Sequence, residues 1–557
     1  MMKTAVTSPN AFLSRLNPLS SRLTPRLFAA FWSLVFVVFY NSAFFGEVHK
    51  LVDVFSVGGA LFALSLALLL WLLTFLILNL VVLPYIAKPL FILIIFGAAS
   101  ASYFMNAYGI VIHRLMIQNV VETDVSEAGG LFSGRLLFWL LLSIIPALMV
   151  ARTRLTFGSL RGEAWSKVKT TAIALVLILL LIFSMSAQYA SFFRNHKDIR
   201  QRANPLNFIY AAMSYAAQSN EVVVVAPIGT DAQLMPQALA ATKPNLIILV
   251  VGETARADHF GINGYERDTT PQLAQENIIN FSQVHSCGTE TAVSVPCMFS
   301  QLARNDYTDK KAKSQESVLD VIHRAGIPVY WRDNNSSCKG VCDRVEYENI
   351  QQWTLPEVCN ERECFDNALL HQLDEKLATM QGTRGAQTKL IVLHQKGSHG
   401  PDYYHRYPSD AEVFKPTCQT NQLHDCKDQE VVNAFDNTIR YTDQFLAKTI
   451  EWLRTNETNY NTAMIYFSDH GESLGENGLY LHGMPYVLAP EAQKHVPMFM
   501  WFSTGFEQAQ AIDRTCLQQR TGDEFTHDNL FHTLLGLTQV STKVYDPALD
   551  MLQGCRH

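Results

Sequence analysis

The sequence predicts a two-part chain: an N-terminal domain of five transmembrane helices, then a C-terminal α/β domain with a mostly parallel sheet. Three observations predict it. Apolar runs near the ~20 residues of a bilayer crossing crowd the chain before residue 190. After residue 244, strand-like apolar runs alternate with helical patterns. All ten cysteines lie at or after Cys287.

The five apolar segments run about 27–45, 57–83, 89–109, 131–150 and 171–188. The second, LFALSLALLLWLLTFLILNLVV, is too long and too uniformly apolar for a soluble core helix. The first lacks a small-x-small cleavage site and more spans follow it, so it reads as a retained anchor. Residues 1–189 are therefore expected to form the membrane domain.

Orientation follows from the basic residues in the flanking loops. The tail carries Lys3, Arg15, Arg22 and Arg26. The second-to-third loop holds Lys88, and the fourth-to-fifth loop holds Arg152, Arg154, Arg161, Lys167 and Lys169. The opposite loops carry only Lys50 and Arg114. This places the N-terminus in the cytoplasm and everything after about residue 190 on the far side. Cysteine placement agrees independently, because disulfides belong in an oxidising compartment. The spacings point to neighbour pairs Cys287–Cys297, Cys338–Cys342, Cys359–Cys364, Cys418–Cys426 and Cys516–Cys555, with connectivity left open. No CxxC pair occurs, which argues against a zinc knuckle. With 44 basic and 50 acidic residues and a net charge of −6, no nucleic-acid footprint is present.

Residues 190–243 read as a bridging linker. Within it, Leu206, Ile209, Tyr210, Met213 and Ala217 recur at helical spacing. That helix suits either the membrane interface or an ordinary amphipathic surface.

Residues 244–557 form the exported domain. NLIILVVGET ends in Glu253, GIPVYWRDNN in Asn334 and Asn335, TKLIVLHQKGSHG in His394 and His399, and TAMIYFSDHGE in Asp469, His470 and Glu472. Near-continuous apolar strands read as a parallel sheet buried on both faces. Ligands of such sheets bind outside the carboxyl ends of the strands. Four strands ending in polar residues therefore predict one shared site.

Glu253, Asp469 and His470 offer two carboxylates and an imidazole, a set that suits Zn²⁺. A catalytic zinc keeps one position open, and a hydroxyl there becomes a nucleophile. CGTETAVSVPCMFS, residues 287–300, supplies Thr289, Thr291 and Ser294 between two cysteines. A bridge across so short a loop contributes about 2–3 kcal/mol and keeps the hydroxyl ordered. A single Glu after a strand, or an Asp-His pair at a turn, is ordinary loop chemistry. Their joint occurrence beside the cysteine-closed loop selects a site. His399 and His482 read equally as metal ligands, phosphate donors or surface histidines. GESLG (471–475) matches the G-x-S-x-G elbow. The strand ends near Ser468, before the motif, so Ser473 is a poor nucleophile candidate.

VGETARADHFGINGY, SCGTETAVSVPCMFS, KGSHGP and SDHGESLGENGLYLHG resemble the phosphoethanolamine transferases that modify lipid A. That group includes intrinsic bacterial enzymes and the mobile colistin-resistance enzymes. The likeness spans nearly the whole chain. It implies a catalytic domain similar to alkaline phosphatases and sulfatases. It also implies that Glu253, Asp469 and His470 bind zinc together with Thr291, the nucleophile. Asn335, Lys339, His399 and His482 would line the phosphoethanolamine pocket, and His399 and His482 would meet a second zinc.

The resemblance further implies phosphatidylethanolamine as donor and a lipid A phosphate as acceptor. The setting is the bacterial inner membrane among membrane lipids, with the catalytic domain periplasmic and the protein a monomer. The modification would confer resistance to colistin and other cationic peptides. Core-sugar phosphoethanolamine transfer and phosphoglycerol transfer are the alternatives on the same scaffold. A membrane-anchored binding protein is the non-enzymatic rival. The C/S-x-P-x-R context of sulfatases is absent.

Overall fold

A computed structural model describes residues 22–122, 130–196, 198–219, 224–360 and 362–556. Lys3 and Arg15 of the basic tail lie outside the described residues. Two compact units emerge: Met1–Gln118 with Phe132–Ser219, and Asn119–Leu131 with Asn220–His557.

The first unit is helical. Among the described residues four helices are long and apolar enough to span a bilayer: Val57–Val81, Ala87–Tyr108, Gly134–Arg152 and Leu160–Ser184. A fifth span exists if the bent pair α1 (Pro25–Phe39) and α2 (Ser42–Leu51) counts as one. The apolar run 27–45 predicts one straight span, whereas the pair bends by 59°. Asn41 explains the break. Its Nδ2 donates to Phe36 O at 2.9 Å and to Asn204 O at 2.6 Å, supplying carbonyl partners where the helix stops. Asn204 returns a bond from its N–H to Asn41 Oδ1 at 2.9 Å. Backbone groups at membrane depth need such internal partners.

The last span also differs from its apolar run, 171–188. Ser159 Oγ caps the helix by accepting from Gly162 N, so it starts at Leu160 and its first turns are polar. Lys167 of those turns donates to Leu80 O and Val82 O. The core of this unit is aromatic, with Phe28, Trp32, Phe36 and Phe91 buried. Leu160–Ser184 leaves Ile173, Leu180 and Phe183 exposed, as expected where lipid is the solvent. The predicted amphipathic helix is Leu206–Ser219, and it groups with this unit.

The second unit holds a seven-stranded sheet. Its strands are β1 (Asn245–Gly252), β2 (Ile278–Phe281), β3 (Val329–Asp333), β4 (Glu346–Asn349), β5 (Lys389–His394), β6 (Asn461–Ser468) and β7 (Met498–Phe502). The spatial order is β2-β7-β6-β1-β5-β3-β4. β6, β1, β5, β3 and β4 run parallel, and β7 pairs antiparallel with both β6 and β2. Every residue of β1, β6 and β3 is buried, matching the mainly apolar sequences of β1 and β6, while β3 buries Arg332 and Asp333 as well. Helices such as Asp428–Thr455 and Asp528–Leu537 cover the sheet, the former burying Phe435, Ile439 and Leu446. All ten cysteines are paired, in the neighbour pattern Cys287–Cys297, Cys338–Cys342, Cys359–Cys364, Cys418–Cys426 and Cys516–Cys555.

Register sets the site. β1 and β6 align from Asn245↔Asn461 to Gly252↔Ser468. The next residues, Glu253 and Asp469, thus leave the sheet side by side. β5 ends at His394 opposite both Val251 and Asp333. Asn335 and Gln395 therefore emerge at the same edge.

Candidate active site

Glu253, Asp469 and His470 are buried, and their donor atoms lie within 4.8 Å of one another. His470 Nε2 is 3.5 Å from Glu253 Oε1 and 3.4 Å from Asp469 Oδ2. His470 Nδ1 pairs with Gly471 O at 2.9 Å, so Nε2 faces the carboxylates. Thr254 holds a positive φ of 58°, a strained conformation for a β-branched residue. The kink sends its N–H to Asp469 Oδ1 at 3.1 Å, and its hydroxyl donates to Glu253 Oε1.

Thr291 opens the helix Thr291–Met298. Its Oγ1 is 3.1 Å from Glu253 Oε2 and 3.3 Å from His470 Nε2. The other two hydroxyls of the loop are placed elsewhere. Thr289 donates to Met484 O at 2.6 Å, and Ser294 Oγ is buried without a partner. Ser473 sits on the short strand Ser473–Leu474 and accepts from Gln493 at 2.9 Å, which is no strand-to-helix elbow.

The residues fit a divalent cation. Asp469 Oδ2 is buried with no hydrogen-bond partner. Burial opposes charge on Glu253, yet His470, His399 and His482 hold its carboxyl down, at about 2. Burial and the Glu253 charge push Asp469 well above the usual carboxylate range. Two carboxylates this close oppose each other's charge, and a cation between them would let both ionise. Burial and the neighbouring His482 push His470 down to about 3, leaving the neutral imidazole that ligates metal. Two carboxylate oxygens, an imidazole and a hydroxyl match zinc in donor type and number.

The pocket residues divide. Asn335 Nδ2 donates to Glu253 Oε2 at 2.7 Å and to Gln395 O at 2.9 Å, locking the carboxylate. The rings of His399 and His482 are 5.5 Å apart, and His482 is 4.4 Å from His470. Lys339 is turned back on its own loop, its Nζ donating to Ser336 Oγ at 2.9 Å. That loop is strained, with φ of 119° at Ser337 and 52° at Lys339, and the Cys338–Cys342 bridge closes it.

Two glycines are required by close approach. A Cβ on Gly252 would run into the Tyr466 hydroxyl. Gly397 has a φ of 54°, and its Cβ would lie 2.6 Å from Glu253 O.

Sequence reading did not assign several supporting residues. Glu472 accepts from His482 Nδ1 at 2.8 Å and from the Tyr403 hydroxyl at 2.5 Å. Burial works against charge on His482, but Glu472 overrides it and raises the imidazole to about 9. Asp366 accepts from Asn334 Nδ2, Gln395 Nε2 and the N–H groups of Lys396 and Gly397. It thereby ties the loops after β3 and β5 together. Neither Tyr403 nor Asp366 follows a strand directly, so no local signal marks them.

A family model described as sulfatase matches residues 245–540, and one described as phosphoethanolamine transferase EptA/EptB matches residues 70–220. The chain is 41% identical to phosphoethanolamine transferase EptA of Escherichia coli K12, over 95% of this chain and 96% of that protein. The chain belongs to the lipid A phosphoethanolamine transferase family. Within that family it is also 42% identical to phosphatidylethanolamine transferase Mcr-2 of Escherichia coli, over 83% of this chain and 86% of the relative. The integral membrane lipooligosaccharide phosphoethanolamine transferase A of Neisseria meningitidis superposes with a TM-score of 0.90. That match has 38% identity and covers 96% of this chain and all of the other. Both units thus have the family's architecture: membrane helices followed by a sulfatase-like domain with a mainly parallel sheet.

Proposed function

We propose that the protein transfers phosphoethanolamine from phosphatidylethanolamine to a phosphate of lipid A, through a covalent adduct on Thr291. Similarity to EptA and Mcr-2 supports the activity class. One observation carries the mechanism: a helix-opening hydroxyl, Thr291 Oγ1, lies 3.1 Å from Glu253 and 3.3 Å from His470 in a buried two-carboxylate cluster.

Glu253, Asp469 and His470 would hold Zn²⁺ with Thr291, and the ion supplies positive charge that favours the alkoxide. Thr291 Oγ attacks the phosphorus of the donor. The phosphorus bond to the diacylglycerol oxygen breaks, and that oxygen leaves with the proton given up by Thr291. An oxygen of a protonated lipid A phosphate then bonds to the phosphorus as the bond to Thr291 Oγ breaks, and the proton of that phosphate passes to Thr291. His482, held charged by Glu472, offsets the negative phosphoryl oxygens, as does His399, and Lys339 would join them by leaving Ser336. A second zinc would sit at His399 and His482 only with His482 deprotonated at Nε2. Asn335 fixes Glu253 throughout.

The tail lies in the cytoplasm and the α/β unit in the periplasm, on the bacterial inner membrane. The lopsided basic loops and the five disulfides of the second unit support this orientation. Anchoring keeps the monomeric enzyme beside two lipids that scarcely exist free in water. The product surface is less anionic, so cationic peptides lose attraction and resistance follows. The test is the lipid profile of cells expressing the protein beside Thr291→Ala. A phosphoethanolamine added to lipid A supports the reading. Addition to core sugar, or phosphoglycerol in its place, overturns the acceptor or donor.

A further inference from the structure

His527 is buried outright and belongs to neither the ligand cluster nor the phosphoethanolamine pocket. Its imidazole bridges two segments that carry the chemistry. Cys287 N–H donates to His527 Nδ1 at 3.1 Å, four residues before Thr291. His527 Nε2 donates to Ser468 O at 3.0 Å, directly before Asp469 and His470. A single neutral tautomer satisfies both bonds: Nδ1 accepts and Nε2 carries the proton. Burial pushes this imidazole down to about 4, so that tautomer is the neutral-pH form.

The backbone delivers His527 to this place. Gln283–His285 pairs in parallel with Glu524–Thr526, and His527 N–H donates to His285 O at 3.2 Å. The side chain therefore emerges beside the start of the nucleophile loop. Its ring packs edge-on against Phe467, 4.7 Å away. The loop and the end of β6 are thus spaced by one rigid ring.

We propose that His527 is a positioning residue, which sets the separation between Thr291 and the Asp469–His470 pair without touching either. The assignment rests on the reading of Thr291 as the nucleophile. A satisfied core histidine would stabilise the fold and leave turnover per folded molecule unchanged. A positioning residue moves turnover itself, because displacements near 1 Å cost about 10²-fold in rate.

The test uses the full-length protein in detergent, with dioleoyl phosphatidylethanolamine as donor. Adduct formation on Thr291 is followed by mass spectrometry, and zinc content and donor KM are measured on the same samples. His527→Phe keeps the ring and loses both bonds. His527→Gln keeps a polar group that reaches one partner and guards against misfolding of the first variant. The expected result is a rate about 10- to 100-fold lower in His527→Phe, with KM and zinc content unchanged. His527→Gln should fall between it and the wild type. A wild-type adduct rate in either folded variant overturns the proposal. Absence of the adduct in the wild type overturns the Thr291 reading, and the His527 assignment with it.

Discussion

His482 donates from Nδ1 to Glu472 Oε2 at 2.8 Å, while Tyr403 donates to the other oxygen of the same buried carboxylate. The carboxylate holds the imidazolium in place beside His470 and His399, as acidic partners do for functional histidines. Glu472→Gln should lower turnover about 10- to 100-fold while the protein stays folded. Tyr403→Phe leaves the His482 bond in place and should have the smaller effect. Equal losses in the two variants would show that the network, not the Glu472–His482 pair, matters.

Gly397 supplies a second prediction. Its φ is positive, and an added methyl would lie only 2.6 Å from Glu253 O, so a side chain has no room. Gly397→Ala should cost about 1–2 kcal/mol from the left-handed backbone alone. Close approach to Glu253 adds to this, so activity should fall further than thermal stability. Unchanged activity with lowered Tm would disconnect the loop from the site.

Chelation tests the cation. The buried carboxylates of Glu253 and Asp469 would repel each other without a cation, and no protein donor hydrogen-bonds to Asp469 Oδ2 among the described residues. Treatment with a chelator should abolish transfer and lower Tm, and added Zn²⁺ should restore both. At free zinc a hundred times its Kd the stabilisation is about 3 kcal/mol. Activity that survives complete zinc removal would refute a metal-dependent nucleophile.

Stability should also depend on pH through His527. Its folded value is about 4, below the ~6.5 of an unfolded histidine. The unfolded chain binds this proton first, so the contribution is full above pH ~6.5 and is lost as pH falls toward 4. A shift of this size corresponds to about 3 kcal/mol. His527→Gln should flatten denaturant-measured stability across that window relative to wild type. Parallel curves would assign the acid loss to other groups.

How much of this was legible in the sequence depends on distance along the chain. Glu253 and Asp469 each follow a near-continuous apolar run that reads as a buried strand, and Asn335 follows the shorter VYWRDN, so their convergence at one edge was readable. Spacing pointed to the neighbouring cysteine pairs but left their connectivity open, and the structure closes all five. The choice of Thr291 over Thr289 and Ser294 was not readable from residue types. It depends on where the helix Thr291–Met298 begins and on Met484 engaging Thr289. His527 was invisible because its partners lie 240 and 59 positions away and are backbone groups, which leave no mark on residue choice. The bend at Asn41 escaped for a related reason: its partner Asn204 is 163 residues distant. Lys339, expected in the pocket from the resemblance, donates to Ser336 Oγ of its own loop.

Mass spectrometry of the wild-type protein after brief exposure to phosphatidylethanolamine tests the central claim most directly. The expected result is one phosphoethanolamine on the peptide containing Thr291, absent from Thr291→Ala, which also fails to modify lipid A. Phosphoethanolamine on Ser473 or Ser294, or full transfer by Thr291→Ala, would contradict it.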